Sequence, residues 1–193
     1  MTKSVSFIFG GEAKVKVLRM FIFNPDSVYE AKTIAQRTKE KPGTVRRNLT
    51  ELMKAGLLRK RSRGYCLDKD YPFLKPLREF LIDVGPISDK EIIKRLQKVG
   101  VVKLVLVSGI FLHDSESRVD LLVVGDHLKK NKIVTAISSL EAELGKEIRY
   151  AAFETSDFHY RFGMYDKLIL DILDSQNHKI LNKLGVWYPQ FKG

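Results

Sequence analysis

The chain has one cysteine, Cys66, among 193 residues. A single thiol cannot close an internal disulfide, and the four histidines stand at no ligand spacing with it. Neither a disulfide scaffold nor a thiolate metal site is therefore expected, and no metal or other cofactor is called for. A buried, inert Cys66 in a reducing, cytosolic compartment is the simpler expectation. No apolar run approaches the roughly 18 residues of a membrane-spanning helix. The opening stretch Met1–Phe9 is too short and too weakly charged for a secretory signal. Internal repeats and low-complexity segments are absent too. Hydrophobic residues make up 44%, ordinary for a globular chain, and the length suits one large domain or two small ones.

Acidic residues are in short supply, and unevenly so. The net charge is +11. Residues 1–85 hold 18 Lys and Arg against 9 Asp and Glu, whereas residues 86–193 hold 16 against 14. The excess belongs to the first part, and a polyanionic partner for that part follows. A basic membrane-surface helix is the competing reading. It is the weaker one, because no helix combines a Lys/Arg face with a Trp/Phe face.

The densest information lies between Tyr29 and Leu67. Ala31, Ile34 and Ala35 recur at i, i+3, i+4, which predicts a short helix, with Thr33 as its expected N-cap. Arg37-Thr38-Lys39-Glu40-Lys41 has no apolar residue and reads as a turn. Pro42 suits the first position of a second helix. Val45, Leu49, Leu52 and Met53 form its apolar stripe. Arg47, Thr50 and Lys54 point away from the stripe, with Gly43 and Arg46 at its flank. Gly56 is the expected stop. Two short strands around a Ser-Arg-Gly turn follow, with Lys60, Arg61 and Arg63 at or next to the tip and Cys66 on the inner side.

That order is short helix, turn, longer helix, glycine stop and basic hairpin. Thr44-Val45-Arg46-Arg47-Asn48-Leu49 followed by Leu52-Met53-Lys54-Ala55-Gly56-Leu57-Leu58 resembles the recognition helix and wing of winged helix-turn-helix regulators of the ArsR and MarR type. The resemblance implies that Gly43, Thr44, Arg46, Arg47, Thr50 and Lys54 face double-stranded DNA. It also implies that Lys60, Arg61 and Arg63 face phosphates. A solvated basic helix is the bland alternative. A supporting helix is expected over Ala13–Phe23, and another carries Phe73, Leu74, Leu77, Phe80 and Leu81 after the break at Asp68–Pro72. In winged regulators such a later helix commonly packs on a second protomer, so a homodimer is implied. Docking inside the chain is equally compatible.

A domain boundary is expected at Gly85-Pro86, giving domains 1–85 and 86–193. Ser88 can cap the next helix, with Glu91 completing a capping box and Ile92, Ile93 and Leu96 on its apolar face. Val101–Val107 is a nearly continuous apolar run, the pattern of a strand buried on both sides. Ser108-Gly109 closes it, and Phe111–Ser117 reads as a loop. Further strands are expected over Arg118–Val124 and Glu147–Phe153. Helices are expected over Ile133–Leu144, after Thr155 or Ser156, over Tyr165–Leu173 and over His178–Leu184. The aromatic tail Val186–Phe191 is expected to tuck back on the fold. The fold class is thus α+β, a helix-turn-helix domain followed by a small α/β domain with a mixed sheet.

Strand, small Ser/Gly turn, loop and strand with an acidic residue resembles the minimal nucleotidyltransferase domain of the DNA-polymerase-beta superfamily. There a Gly-Ser turn holds the triphosphate and three carboxylates hold two magnesium ions. In this chain the turn is Ser108-Gly109, the first carboxylate position is Arg118, and only Asp120 survives. Arg149 stands where the third acid is expected. The resemblance therefore implies the fold with its catalysis lost. Leu144–Tyr150 and Asp157-Phe158-Tyr160-Arg161 are similar to the C-terminal half of prokaryotic regulators that fuse the two modules. Ser108, Gly109, Arg118, Asp120 and Arg149 are candidates for a pocket that attracts a nucleotide or another anionic effector. The competing reading pairs Arg118 with Asp120 or Glu147 on a solvated sheet face, and is the favoured one. The functional expectation is a cytosolic DNA-binding transcriptional regulator, dimeric, with a degenerate second domain for dimerisation or effector sensing. The alternatives are an active nucleotidyltransferase modifying protein or RNA, and a protein-interaction scaffold.

Overall fold

The structure is a computed structural model and describes residues 2–84, 87–112, 114 and 116–185. The expected boundary at Gly85-Pro86 and the aromatic tail Val186–Phe191 lie outside these residues. The protein is α+β with a mixed sheet. It divides into two compact units: Met1–Ser88 with Ser138–Glu147, and Asp89–Ile137 with Ile148–Gly193.

The first unit opens with helices α1 (Thr2–Ile8) and α2 (Glu12–Ile22). A two-residue strand β1 (Val28–Tyr29) leads into α3 (Ala31–Thr38) and α4 (Pro42–Lys54). The hairpin β2 (Leu58–Arg61) and β3 (Gly64–Leu67) follows, then α5 (Leu74–Asp83). Strand β3 pairs with both β2 and β1, all antiparallel, in the order β1-β3-β2. The core is one cluster: Val17 and Phe21 from α2, Ile34 from α3, Val45 and Leu49 from α4, and Leu81 from α5 are all fully buried. Each such side chain contributes about 1.5–3 kcal/mol over exposure, so the helices are held by their shared face.

Two local expectations need correction. Glu30, not Thr33, occupies the N-cap position of α3, and no side chain caps it. Thr33 lies within the helix. The helix also continues to Thr38, because the buried Thr38 hydroxyl donates to the Ile34 carbonyl at 2.7 Å. The turn is thereby shortened to Lys39–Lys41, with Lys39 left-handed at φ 56°. Gly56, at φ 77°, ends the α4 turn as expected.

Residues 138–147 complete this unit from far along the chain. Arg19 of α2 is fully buried, and its Nη1 donates to the Glu143 carbonyl at 3.2 Å. Its Nε and Nη2 have no partner among the described residues. Desolvation pulls the Arg19 pKa down, opposed by the nearby Glu143 carboxylate. Lys16 lies 2.9 Å from Glu40 and 3.5 Å from Glu143. Burial works against its charge, yet the Glu40 hydrogen bond and the Glu143 field hold its pKa above the ordinary value. Asn24 Nδ2 donates to the Gly145 carbonyl at 2.7 Å. Gly145 itself has φ 75°, and a Cβ there would stand 2.5 Å from the backbone of Arg19.

The second unit contains α6 (Asp89–Leu96), β4 (Val101–Val107), a 3-10 turn at Gly109–Phe111 and β5 (Leu121–Asp126). Helix α7 (Lys130–Leu144) begins in it, and β6 (Tyr150–Glu154), α8 (Thr155–Gly163), α9 (Lys167–Asp174) and β7 (His178–Asn182) complete it. The sheet order is β6-β5-β4-β7. Strand β4 is antiparallel to both neighbours, and β5 is parallel to β6. Leu104 and Leu106 pack with Phe158, Ile169 and Ile172, while the alternate residues Val105 and Val107 are buried on the other face. From Leu104 onward β4 is thus buried on both sides, as its continuous apolar run predicts.

Three boundaries differ from expectation. The second strand starts at Leu121 rather than Arg118, and the third at Tyr150 rather than Glu147. The segment read as a last helix, His178–Leu184, is instead strand β7 over His178–Asn182. Its backbone pairs with the otherwise open edge of β4, which outweighs a short and weak helical pattern.

Replacing Gly145 by Ala is expected to destabilise the fold by more than the about 1–3 kcal/mol of a left-handed non-glycine residue, because the methyl also meets the Arg19 backbone. Urea unfolding of Gly145→Ala, with Gly163→Ala as the open-space comparison, checks this.

Candidate functional site

Helix α4 is divided along its length. Val45, Asn48, Leu49 and Leu52 are buried, whereas Arg46, Arg47, Thr50, Glu51 and Lys54 are exposed. Pro42 occupies the helix start, so the chain enters the helix without losing a needed N–H. Gly43 is exposed and Thr44 half-buried. The Thr50 hydroxyl donates to the Arg46 carbonyl at 3.0 Å, which leaves its oxygen as the free function. Glu51 is the one acid on this face. Lys14 of α2 pairs with it and holds its carboxyl below the usual carboxylate range. No spacing pattern signals that long-range pair.

The helix runs directly into the hairpin through Gly56 N–H to Met53 and Leu57 N–H to Leu52, at 3.0 and 3.1 Å. Lys60, Arg61 and Arg63 are exposed. Arg59 is different, since its Nε lies 2.5 Å from Asp68. Among the described residues no ion pair reaches Arg46, Arg47, Lys54, Lys60, Arg61 or Arg63. Gly64 is required by close approach, for a Cβ there would stand 2.4 Å from the Tyr29 carbonyl oxygen on the paired strand β1. Cys66 faces inward, buried and free.

In the second unit, Ser108, Gly109, Asp120 and Arg149 come together at the end of β4. Asp120 is completely buried. Its Oδ1 accepts from Ile110 N–H at 3.0 Å and Arg149 Nη2 at 2.9 Å. Its Oδ2 accepts from Arg149 N–H at 2.8 Å and Nε at 3.1 Å. Four donors fill the about four lone-pair directions of a carboxylate. Donating these hydrogen bonds to the Asp120 carboxylate holds the Arg149 pKa above its ordinary value. A Cβ on Gly109, at φ 52°, would meet Asp120 Oδ1 at 2.0 Å, so glycine is required beside the carboxylate.

The Ser108 hydroxyl is turned inward as well. It bonds to Ser117 Oγ at 3.0 Å and to the Val119 carbonyl, and the residue is buried. The expected pairing of Arg118 with Asp120 or Glu147 is not found. Arg118 Nη1 lies 2.9 Å from Asp171 of α9. Glu147 instead stands 3.3 Å from Arg37. The local cause is that Arg118 precedes the strand rather than sitting in it, so period-two alternation does not govern its direction. Among the described residues no group of three or more His, Cys, Asp or Glu side chains is arranged to hold a metal ion.

No protein-family model matches the chain, and neither does any curated protein or solved structure.

The Asp120–Arg149 pair is expected to behave as one unit. Asp120→Asn and Arg149→Gln should each cost about 3 kcal/mol, toward the low end for a broken buried pair because Arg149 is half exposed. Their double variant should cost clearly less than the sum. Denaturation of the three variants checks it, and strict additivity would refute the coupling.

Proposed function

We propose that the protein is a DNA-binding transcriptional regulator of the winged helix-turn-helix kind, acting in the cytoplasm as a homodimer. The observation that carries this reading is the segregation of charge in the first unit. Six cations on α4 and the hairpin are exposed and unpaired, while Glu51 and Arg59 beside them are already engaged. Unpaired cations on an exposed helix backed by an apolar core suit a polyanion better than they suit the protein itself. No described helix is long and apolar enough to cross a membrane.

In this reading the exposed face of α4 enters the major groove, which is about 12 Å wide and admits a helix. Arg46 and Arg47 meet base edges, and Thr50 presents an acceptor. Gly43 and Thr44 lie near the sugar-phosphate backbone at the helix N-terminus. Lys54, Lys60, Arg61 and Arg63 neutralise phosphates on either side. The second unit serves dimerisation or effector sensing, with the nucleotidyltransferase-like arrangement of a lost enzyme. The saturation of Asp120 supports that view. Asp120 would have to surrender hydrogen bonds to Arg149 before it could ligate a magnesium ion.

Fluorescence anisotropy with mixed-sequence duplexes tests the proposal. Duplex binding should weaken steeply with salt, with a log–log slope of roughly −0.9 per neutralised phosphate. Arg61→Ala should weaken all duplexes alike and reduce that slope by about one. Arg46→Ala with Arg47→Ala should cost about tenfold or more and reorder the preferred sequences. Absence of duplex binding at low salt would remove the proposal.

A further inference from the structure

The second unit sorts its charges in a way that the proposed function does not use. Its arginines are paired: Arg95 with Glu91, Arg118 with Asp171, Arg149 with Asp120, and Arg161 with Asp157 and Asp166. Lys103 holds Asp126 at 2.6 Å. Glu154 is taken by the backbone N–H groups of His127 and Leu128, at 3.0 and 2.8 Å. Five lysines are left over in one place. Lys98, Lys129, Lys130, Lys132 and Lys183 are all exposed, and among the described residues no carboxylate pairs with any of them.

The backbone explains why these lysines gather. Strand β4 starts where β5 ends, with Val101 opposite Asp126. Lys129 N–H donates to the Val99 carbonyl at 2.7 Å, which fixes the start of α7 against the residue after Lys98. Lys183 N–H donates to the Lys103 carbonyl, also at 2.7 Å, and brings the end of β7 to the same edge. Gly100 permits the close approach, since a Cβ there would stand 2.7 Å from the Asp126 carbonyl oxygen. Three distant segments thus deliver lysine to one end of the sheet, opposite the end that holds Asp120.

We infer that this lysine cluster is a second nucleic-acid surface, one that grips the phosphate backbone of duplex DNA without reading its sequence. Lysine is a compact point charge suited to phosphates, and the cluster contains no unpaired arginine fork for bidentate base contacts. A single-stranded partner would need aromatic platforms for its bases. A membrane surface would need a bulky apolar face. Among the described residues of these segments the exposed large apolar side chains are Val101 and Val134, and neither is aromatic. The surface would raise affinity uniformly and leave sequence preference to α4.

The test is anisotropy on the full chain with a fluorescent mixed-sequence duplex across a salt series. One variant is Lys98→Gln/Lys129→Gln/Lys130→Gln. The comparison variant is Lys90→Gln/Lys167→Gln/Lys179→Gln, which removes equal charge from exposed sites elsewhere in the unit. The cluster variant should bind about tenfold more weakly at moderate salt, with its salt slope shallower by roughly two to three. The comparison variant should change less than threefold, and the ranking of duplexes should be unchanged in both. Equal losses in the two variants would mean that only net charge matters and would overturn the inference. Cluster-dependent binding to phosphatidylserine vesicles, with duplex binding intact, would overturn it in favour of a membrane. The readouts separate the two interfaces. Loss on changing Arg46 and Arg47 but not the cluster leaves the α4 reading standing and removes this one, and the reverse pattern removes the α4 reading alone.

Discussion

A carboxylate with no access to water organises the second unit. Asp120 sits at zero exposure, and a bare charge there would be prohibitively costly without donors on every side. The requirement shapes its surroundings. Ile110 must present its N–H, Gly109 must lack a side chain, and Arg149 must reach in from the segment before β6. The 3-10 turn, the entry to β5 and the entry to β6 are thereby tied at one point. The same arrangement decides what the turn can do. A carboxylate so engaged fixes geometry and is poorly placed to gather a metal or activate a nucleophile.

The first unit depends on a different balance. Its helices are too short to persist alone, and the shared cluster around Phe21, Ile34 and Leu49 holds them. That cluster uses one side of α4 and leaves the other to solvent. The charges on the free side are then sorted by partner. Lys14 takes Glu51 and Asp68 takes Arg59, so the remaining cations, of which Arg47 and Lys54 also feel the Glu51 carboxylate, project a net positive field. A field of that kind draws in a polyanion before any specific contact forms.

Much of this could be read in the chain beforehand. Pro42, the Val45/Leu49/Leu52 stripe and Gly56 marked α4 because helix starts, faces and stops each have a local chemical cause. The apolar run to Val107 marked a strand buried on both faces for the same reason. The failures were non-local. Strand β7 looked helical because Ile180, Leu181 and Leu184 fit a helical face as well as an edge strand, and only the open edge of β4 decides between them. The partner of Arg118 is Asp171, separated from it by two strands and two helices. The buried Arg19 in α2 gave no signal, since its burial comes from residues 138–147. Within the candidate sites, the division of α4 into a buried and an exposed face was legible from helical period alone. The four-donor cradle of Asp120 was not, because two of its donors are main-chain N–H groups that carry no residue type.

Residues 138–147 have a consequence for how such a protein can change over generations. The first unit is not one continuous stretch of gene, since its last piece is encoded after half of the second unit. A recombination joint after Ser88 would transplant a first unit whose Arg19 has lost the Glu143 carbonyl and whose Asn24 has lost Gly145. The two units can drift residue by residue, yet shuffling one of them onto a foreign neighbour carries a built-in folding defect. Interleaving of this kind binds their ancestries together more firmly than a linker would.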